Sequence, residues 1–118
     1  MNKVLIADDN EINRKMLEII VKKNGYETIS VSDGKEVLEI IDKENISLIF
    51  MDCQMPEVNG YQATNELRKM GKTMPIIAVT GCSDEDDREE AKRSGMDDYI
   101  LKPYKKEDIE KVLKEWFK

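Results

Sequence analysis

Five short apolar runs, each followed by a stretch with helical spacing, set the tightest limit on what this chain can become. The runs cover residues 4–7, 28–31, 48–51, 76–79 and 99–101. Four are almost continuously apolar, as strands covered on both faces of a parallel sheet must be. The second, Thr28-Ile29-Ser30-Val31, alternates and suits a sheet edge. Residues 11–24 carry Ile12, Met16, Ile19 and Ile20 at helical spacing, with Gly25 as a stop. Residues 34–43 carry Val37, Leu38 and Ile41, and residues 60–70 carry Ala63, Leu67 and Met70 before Gly71. The stretch 84–94 opens on Ser83-Asp84-Glu85-Asp86, a capping-box pattern, and ends before Gly95. Ala91 is its single apolar residue, so it can bury little and should be the least firmly docked helix. Residues 106–117 carry the stripe Ile109, Val112, Leu113, Trp116 and Phe117.

Strands alternating with helices predict an α/β fold, with a parallel sheet between two helical layers and right-handed crossovers. Five units fit the flavodoxin-like, doubly wound order 2-1-3-4-5. A closed eight-fold barrel needs about twice the 118 residues available. One domain spanning 1–118 is expected, with no linker or repeat inside it.

Composition removes several functions. Lys plus Arg is 19 and Asp plus Glu is 25, a formal charge of −6. That balance disfavours nucleic acid and anionic membrane as partners. Histidine is absent, which removes the usual general base, the commonest transition-metal ligand and any His-activated nucleophile. The cysteines, Cys53 and Cys82, form no CxxC. Free thiols in a reducing cytoplasm are the expectation, although a Cys53–Cys82 bridge between neighbouring strands is conceivable. No apolar run is long enough to span a membrane.

Open α/β sheets bind ligands beyond the carboxyl ends of their strands, at the switch in strand order. Asp8 and Asp9 follow strand 1, Asp52 follows strand 3, Thr80 follows strand 4, and Lys102-Pro103 follows strand 5. Three carboxylates brought together raise one another's pKa unless a cation joins them. Oxygen donors without histidine or thiolate select a hard cation, with Mg²⁺ favoured because it keeps waters and needs few protein ligands. Mg²⁺ with Lys102 and Thr80 then makes a site for phosphoryl oxygens, and Asp52, the central carboxylate, is the natural nucleophile. Each residue also has a plainer use. Asp8, Asp9 and Asn10 precede a helix and can cap it, Asp52 can start a turn before Pro56, Thr80 can close a strand, and Lys102-Pro103 can be a loop. Capping alone does not account for the right groups at four strand ends together.

The chain resembles the receiver domains of two-component response regulators over essentially its whole length. The resemblance rests on Val4-Leu5-Ile6-Ala7-Asp8-Asp9-Asn10, Met51-Asp52-Cys53-Gln54-Met55-Pro56 with Gly60-Tyr61, Val79-Thr80-Gly81 and Lys102-Pro103. It implies that Asp52 accepts a phosphoryl group from a phosphohistidine on a histidine kinase or a histidine-phosphotransfer protein. It implies Mg²⁺ bound by Asp9 directly, by Asp8 mainly through water, by Asp52 and by the Cys53 carbonyl. Thr80 and Lys102 would contact phosphoryl oxygens, and Tyr99 would change rotamer as Thr80 moves, altering a partner surface on helix 4, strand 5 and helix 5. Gln54 and Cys82 occupy positions where the family tunes phosphoryl lifetime. Asn59, where many members have Asp, should affect its loop and not the chemistry. The runs Asp8 to Arg14 and Met51 to Pro56 look most like receivers of hybrid sensor kinases, which act in phosphorelays.

With no histidine the chain cannot itself be the phosphodonor, and 118 residues leave no room for a DNA-binding output domain. A stand-alone cytoplasmic receiver, or one belonging to a longer kinase, is expected. It would catalyse only its own phosphorylation and dephosphorylation. Three rivals are weaker. A phosphatase of the haloacid dehalogenase type would want a second Asp where Gln54 stands. A flavin-binding flavodoxin would want Ser, Thr or Gly after strand 1, where Asp8 and Asp9 would repel phosphate. A receiver that no longer takes phosphate and only binds partners is disfavoured because all five site residues are present.

Overall fold

A computed structural model describes residues 2–81 and 84–117. Five strands alternate with five helices: β1 (Lys3–Ala7), α1 (Glu11–Lys23), β2 (Glu27–Val31), α2 (Gly34–Ile40), β3 (Leu48–Asp52), α3 (Gly60–Lys69), β4 (Ile76–Thr80), α4 (Glu85–Ser94), β5 (Asp98–Leu101) and α5 (Lys106–Trp116). All pairs are parallel, and the order is β2-β1-β3-β4-β5, as the alternation predicts. β3 and β4 are buried along their whole length, whereas β2 is partly exposed at the edge.

Successive strand residues face opposite sides, so the continuous apolar runs feed two cores at once. Leu5, Ala7, Ile49, Met51, Ile76 and Ala78 share one core with Val37, Ala63, Leu67 and Ala91, which belong to α2, α3 and α4. Val4, Ile6, Leu48, Phe50, Ile77 and Val79 share the other with Leu17 and Val21 of α1 and Ile109, Val112 and Leu113 of α5. The result is the expected three-layer arrangement.

Side-chain caps start four of the helices. Asn10 accepts from the Asn13 amide at 3.0 Å, and Asp33 from Glu36 at 2.8 Å. Asn59 and Gln62 form a reciprocal capping box, each side chain accepting from the other's amide at 2.9 Å. Asn59 thus starts α3 as an aspartate would. For α4 the cap is Asp84, accepting from Asp87 at 2.9 Å, one residue later than the Ser83 pattern predicts. Ser83 lies outside the described residues.

Two helical faces differ from expectation. On α1 the stripe Ile12, Met16 and Ile19 faces outward, at 70%, 47% and 56% exposure, and Leu17 and Val21 pack inward instead. The helix carries two apolar stripes, and the sheet takes only one. On α5 Trp116 is exposed, with its indole Nε1 donating to Asp98 Oδ2 at 3.1 Å. Phe117 stacks on Tyr26 with ring centroids 4.6 Å apart. α2 is shorter than expected, its regular bonds ending at Ile40.

Ala91 is the buried residue of α4, as its sequence predicts. The carboxyl end of the helix is tied to α3 and β4. There Arg68 of α3 donates to the Gly95 carbonyl at 3.0 Å and to Asp97 Oδ2 at 2.8 Å, and Asp97 also accepts from the Ile76 amide at 2.9 Å. Gly95 has φ +108°, a left-handed turn that glycine adopts without penalty.

Candidate functional site

Register alone brings the site together. Ala7 pairs with Met51, so Asp8 and Asp52 leave β1 and β3 side by side. Asp52 pairs with Val79, which places Thr80 one step further along β4. Thr80 pairs with Leu101, so Lys102 emerges next to it. Each of these residues ends or follows its strand because a polar group there can leave the apolar sheet for its carboxyl rim.

The carboxylates of Asp8, Asp9 and Asp52 converge, with one oxygen from each within 4.8 Å of the others. Asp8 and Asp52 are buried, at 1% and 5% exposure, while Asp9 is exposed. Lys102 Nζ lies between the two buried acids, 3.2 Å from Asp8 Oδ2 and 3.4 Å from Asp52 Oδ2. The opposite carboxylate oxygens are held by backbone: Asp8 Oδ1 accepts from the Asn10 amide at 2.9 Å, and Asp52 Oδ1 from the Gln54 amide at 3.1 Å. The Lys102 amide donates to the Thr80 carbonyl at 2.7 Å, tying β5 to β4 at the rim.

Burial pushes the Asp52 carboxyl up to about 6; the charge of Asp8 adds to this, and the Gln54 amide and Lys102 oppose it. For Lys102, burial acts to lower the pKa, but the charges of Asp52 and Asp8 outweigh it and the net shift is upward. The lysine is therefore a fixed cation facing carboxylates whose mutual repulsion it only partly relieves. A divalent cation among the acids would relieve the remainder.

Cys53, whose carbonyl is expected from the sequence to bind the cation, directly follows Asp52. Its carbonyl faces the start of α3 and accepts from the Gly60 amide at 3.2 Å. Its thiol is buried, free, and pushed up to about 11 by burial, with Tyr61 and Thr80 beside it. A Cβ on Gly60 would overlap the Asp52 carbonyl oxygen, so only glycine lets α3 approach β3 this closely. Cys82, expected both as a possible disulfide partner and as a lifetime position, lies outside the described residues.

Thr80 is fully buried beneath the rim. Tyr99 is half-buried on β5, with the Arg88 guanidinium of α4 over its ring, 5.1 Å from the centroid. That cation–π contact crosses from the weakly anchored helix to the aromatic predicted as a switch. The structure thus brings together Asp8, Asp9, Asp52, Thr80 and Lys102, whereas the Cys53 carbonyl accepts from the Gly60 amide. Sequence reasoning missed Arg14, whose Nη1 donates to the Asp8 carbonyl at 2.8 Å. It also missed Arg88 on Tyr99 and the amides of Asn10 and Gln54. Only the Asn13-Arg14 pair within the first motif hinted at any of these.

Comparison with known proteins bears on what this rim does. The response regulator receiver domain family matches residues 4–114. The hybrid signal transduction protein DokA of Dictyostelium discoideum is 38% identical over 118 residues, which are 98% of this chain and 7% of that protein. The probable transcriptional regulator ycf27 of Porphyridium aerugineum is 40% identical over 108 residues, 92% of this chain and 45% of that protein. The chain thus spans less than half the length of either relative. The receiver domain of the sensor histidine kinase PA1611 from Pseudomonas aeruginosa PAO1 was solved with a magnesium ion coordinated in its active-site cleft. It superposes with a TM-score of 0.89 at 33% identity, covering 98% of this chain and 96% of that one. Among the described residues no helix is long and apolar enough to cross a membrane. A five-stranded sheet in this order, an acidic rim bridged by a lysine, and a family match over nearly the whole chain lead to one assignment: the chain belongs to the response regulator receiver domain family, the phosphoryl-accepting modules of two-component phosphorelays.

Proposed function

We propose that residues 1–118 act as one cytoplasmic receiver domain that takes a phosphoryl group onto Asp52. The donor would be a phosphohistidine on a histidine kinase or a histidine-phosphotransfer protein. The observation that carries this reading is Lys102 Nζ set between Asp8 and Asp52 in a trio of acids whose oxygens lie within 4.8 Å.

The donor set fits Mg²⁺. It is all oxygen, with two buried carboxylates and one exposed carboxylate, and among the described residues no histidine or thiolate joins the group to favour a softer metal; the Cys53 carbonyl would be a further ligand. When bound, Mg²⁺ supplies charge neutralisation for the phosphoryl oxygens. The chain's own groups do the rest. The Gln54 amide holds Asp52 Oδ1, leaving the other oxygen to attack phosphorus in line. The O–P bond forms as the P–N bond of the donor imidazole breaks, and the electron pair returns to the imidazole nitrogen. Lys102 meets one phosphoryl oxygen and Thr80 donates to another. No base is needed, because Asp52 attacks as the carboxylate.

As Thr80 moves toward the phosphoryl group, space opens for Tyr99 to turn inward from under Arg88. α4, with a single buried side chain, then redocks, and the face formed by α4, β5 and α5 presents a changed surface to a downstream protein. The self-directed chemistry of transfer and hydrolysis makes this a switch and not a turnover enzyme. The likeness to DokA supports a place within a hybrid kinase.

The test is intact-mass measurement with Mg²⁺ and a small acyl phosphate. The expected result is a gain of one phosphoryl group, lost on chelation and in Asp52→Asn. A full gain in Asp52→Asn would move the acceptor elsewhere.

A further inference from the structure

Of the three acids in the cup, Asp9 has the least support. Its side chain is exposed, and no described hydrogen bond or ion pair reaches its carboxylate. Its direction is therefore set by the backbone on either side of it. After it, Asn10 is fixed as the cap of α1. Before it lies the planar peptide that joins Asp8 to Asp9, whose carbonyl oxygen belongs to a buried residue beyond the end of β1. Arg14 Nη1 donates to that oxygen at 2.8 Å, reaching back from the second turn of α1. Arg14 is itself fixed there, its amide bonded to the Asn10 carbonyl at 3.0 Å.

The choice of partner is informative. A guanidinium this close to an acidic rim would gain more from a carboxylate, since charge-assisted pairs are the stronger ones. Among the described residues no ion pair includes Arg14. It holds the carbonyl instead and leaves the carboxylates open to another cation.

We propose that Arg14 is a positioning residue for divalent-cation binding: by holding the Asp8 carbonyl it locks the Asp8–Asp9 peptide and aims the Asp9 carboxylate into the cup. This rests on the reading that the cup holds Mg²⁺. Two roles for the side chain can be separated by sign. If Arg14 acts only as a nearby positive charge it repels the metal, and removing it tightens binding. If it aims Asp9, removing it weakens binding.

The experiment titrates Mg²⁺ alone into the full chain by calorimetry at neutral pH, for wild type, Arg14→Ala and Arg14→Lys. Arg14→Ala should raise the Mg²⁺ Kd about tenfold, the low end of what loss of an outer-sphere partner does to a metal site. Arg14→Lys, which keeps the charge and one donor, should recover part of that loss. Unfolding in EDTA provides the second readout, since a merely structural role lowers the midpoint there and leaves the Kd unchanged. Should Arg14→Ala not fold, Arg14→Gln replaces it, with the same weakening expected. Wild-type binding with an equal or tighter Kd in the uncharged variant overturns this proposal alone. A wild type that binds no Mg²⁺ overturns the cup itself and this proposal with it.

Discussion

Asp52, the proposed nucleophile, is held in an environment that resists its charge. Its carboxyl is pushed up to about 6, above the ordinary value of 3.8, chiefly by burial. A raised acid favours the folded state when protonated, so this contribution is complete below about pH 4 and is lost as pH rises through about 6. In EDTA, wild-type stability measured by urea unfolding should therefore fall relative to Asp52→Asn between those limits. The same proton competes with the cation. The apparent Mg²⁺ affinity should drop about tenfold per pH unit below about pH 6 and level off above it. A flat profile across that range would mean that Asp52 is not among the ligands. The five side chains of the site were legible in sequence because strand ends are, and because the order 2-1-3-4-5 says which ends meet. Arg14 and the backbone amides of Asn10 and Gln54 were not. Their contacts depend on how far a side chain reaches or on where a loop turns, and neither has a periodicity.

Among the elements, α4 shows how little holds a helix when its sequence is almost all charge. One end is pinned by Arg68, which donates to the carbonyls of Gly95, Lys72 and Met74 and to Asp97. The amino end is joined to β5 through Arg88 on Tyr99. Arg68→Ala leaves several acceptors without their donor and should cost about 1–3 kcal/mol in global stability. Its sharper signature is hydrogen exchange, where α4 amides should lose protection while those of β3 and β4 keep theirs. Equal loss throughout would mean that Arg68 supports the whole fold and not this helix. The weakness of α4 could be read from its composition, since Ala91 had no apolar companion. The face of α1 could not. Ile12, Met16 and Ile19 recur at helical spacing as regularly as Leu17 and Val21 do, and only the direction in which the chain enters from β1 decides which stripe meets the sheet.

At the scale of the molecule, a sheet buried on both faces makes a rigid floor, and the acids gathered at one rim are its main electrostatic debt. A cation that binds the folded cup and not the unfolded chain adds stability by mass action, about 2.7 kcal/mol at a hundredfold excess over its Kd. Thermal unfolding should shift upward on adding Mg²⁺, and the shift should shrink in Asp9→Asn, which removes an exposed acid and little packing. An unchanged midpoint on adding Mg²⁺ would place the ion elsewhere or nowhere.

The registers that set Asp8 beside Asp52 and Thr80 beside Lys102 draw on both extremes of the chain. During synthesis, a polypeptide that has emerged only through β4 already carries Asp52, the proposed acceptor, but still lacks Lys102. On the proposed roles of Asp52 and Lys102, an unfinished molecule is chemically mute, and no message would be loaded until the last strand has closed the sheet.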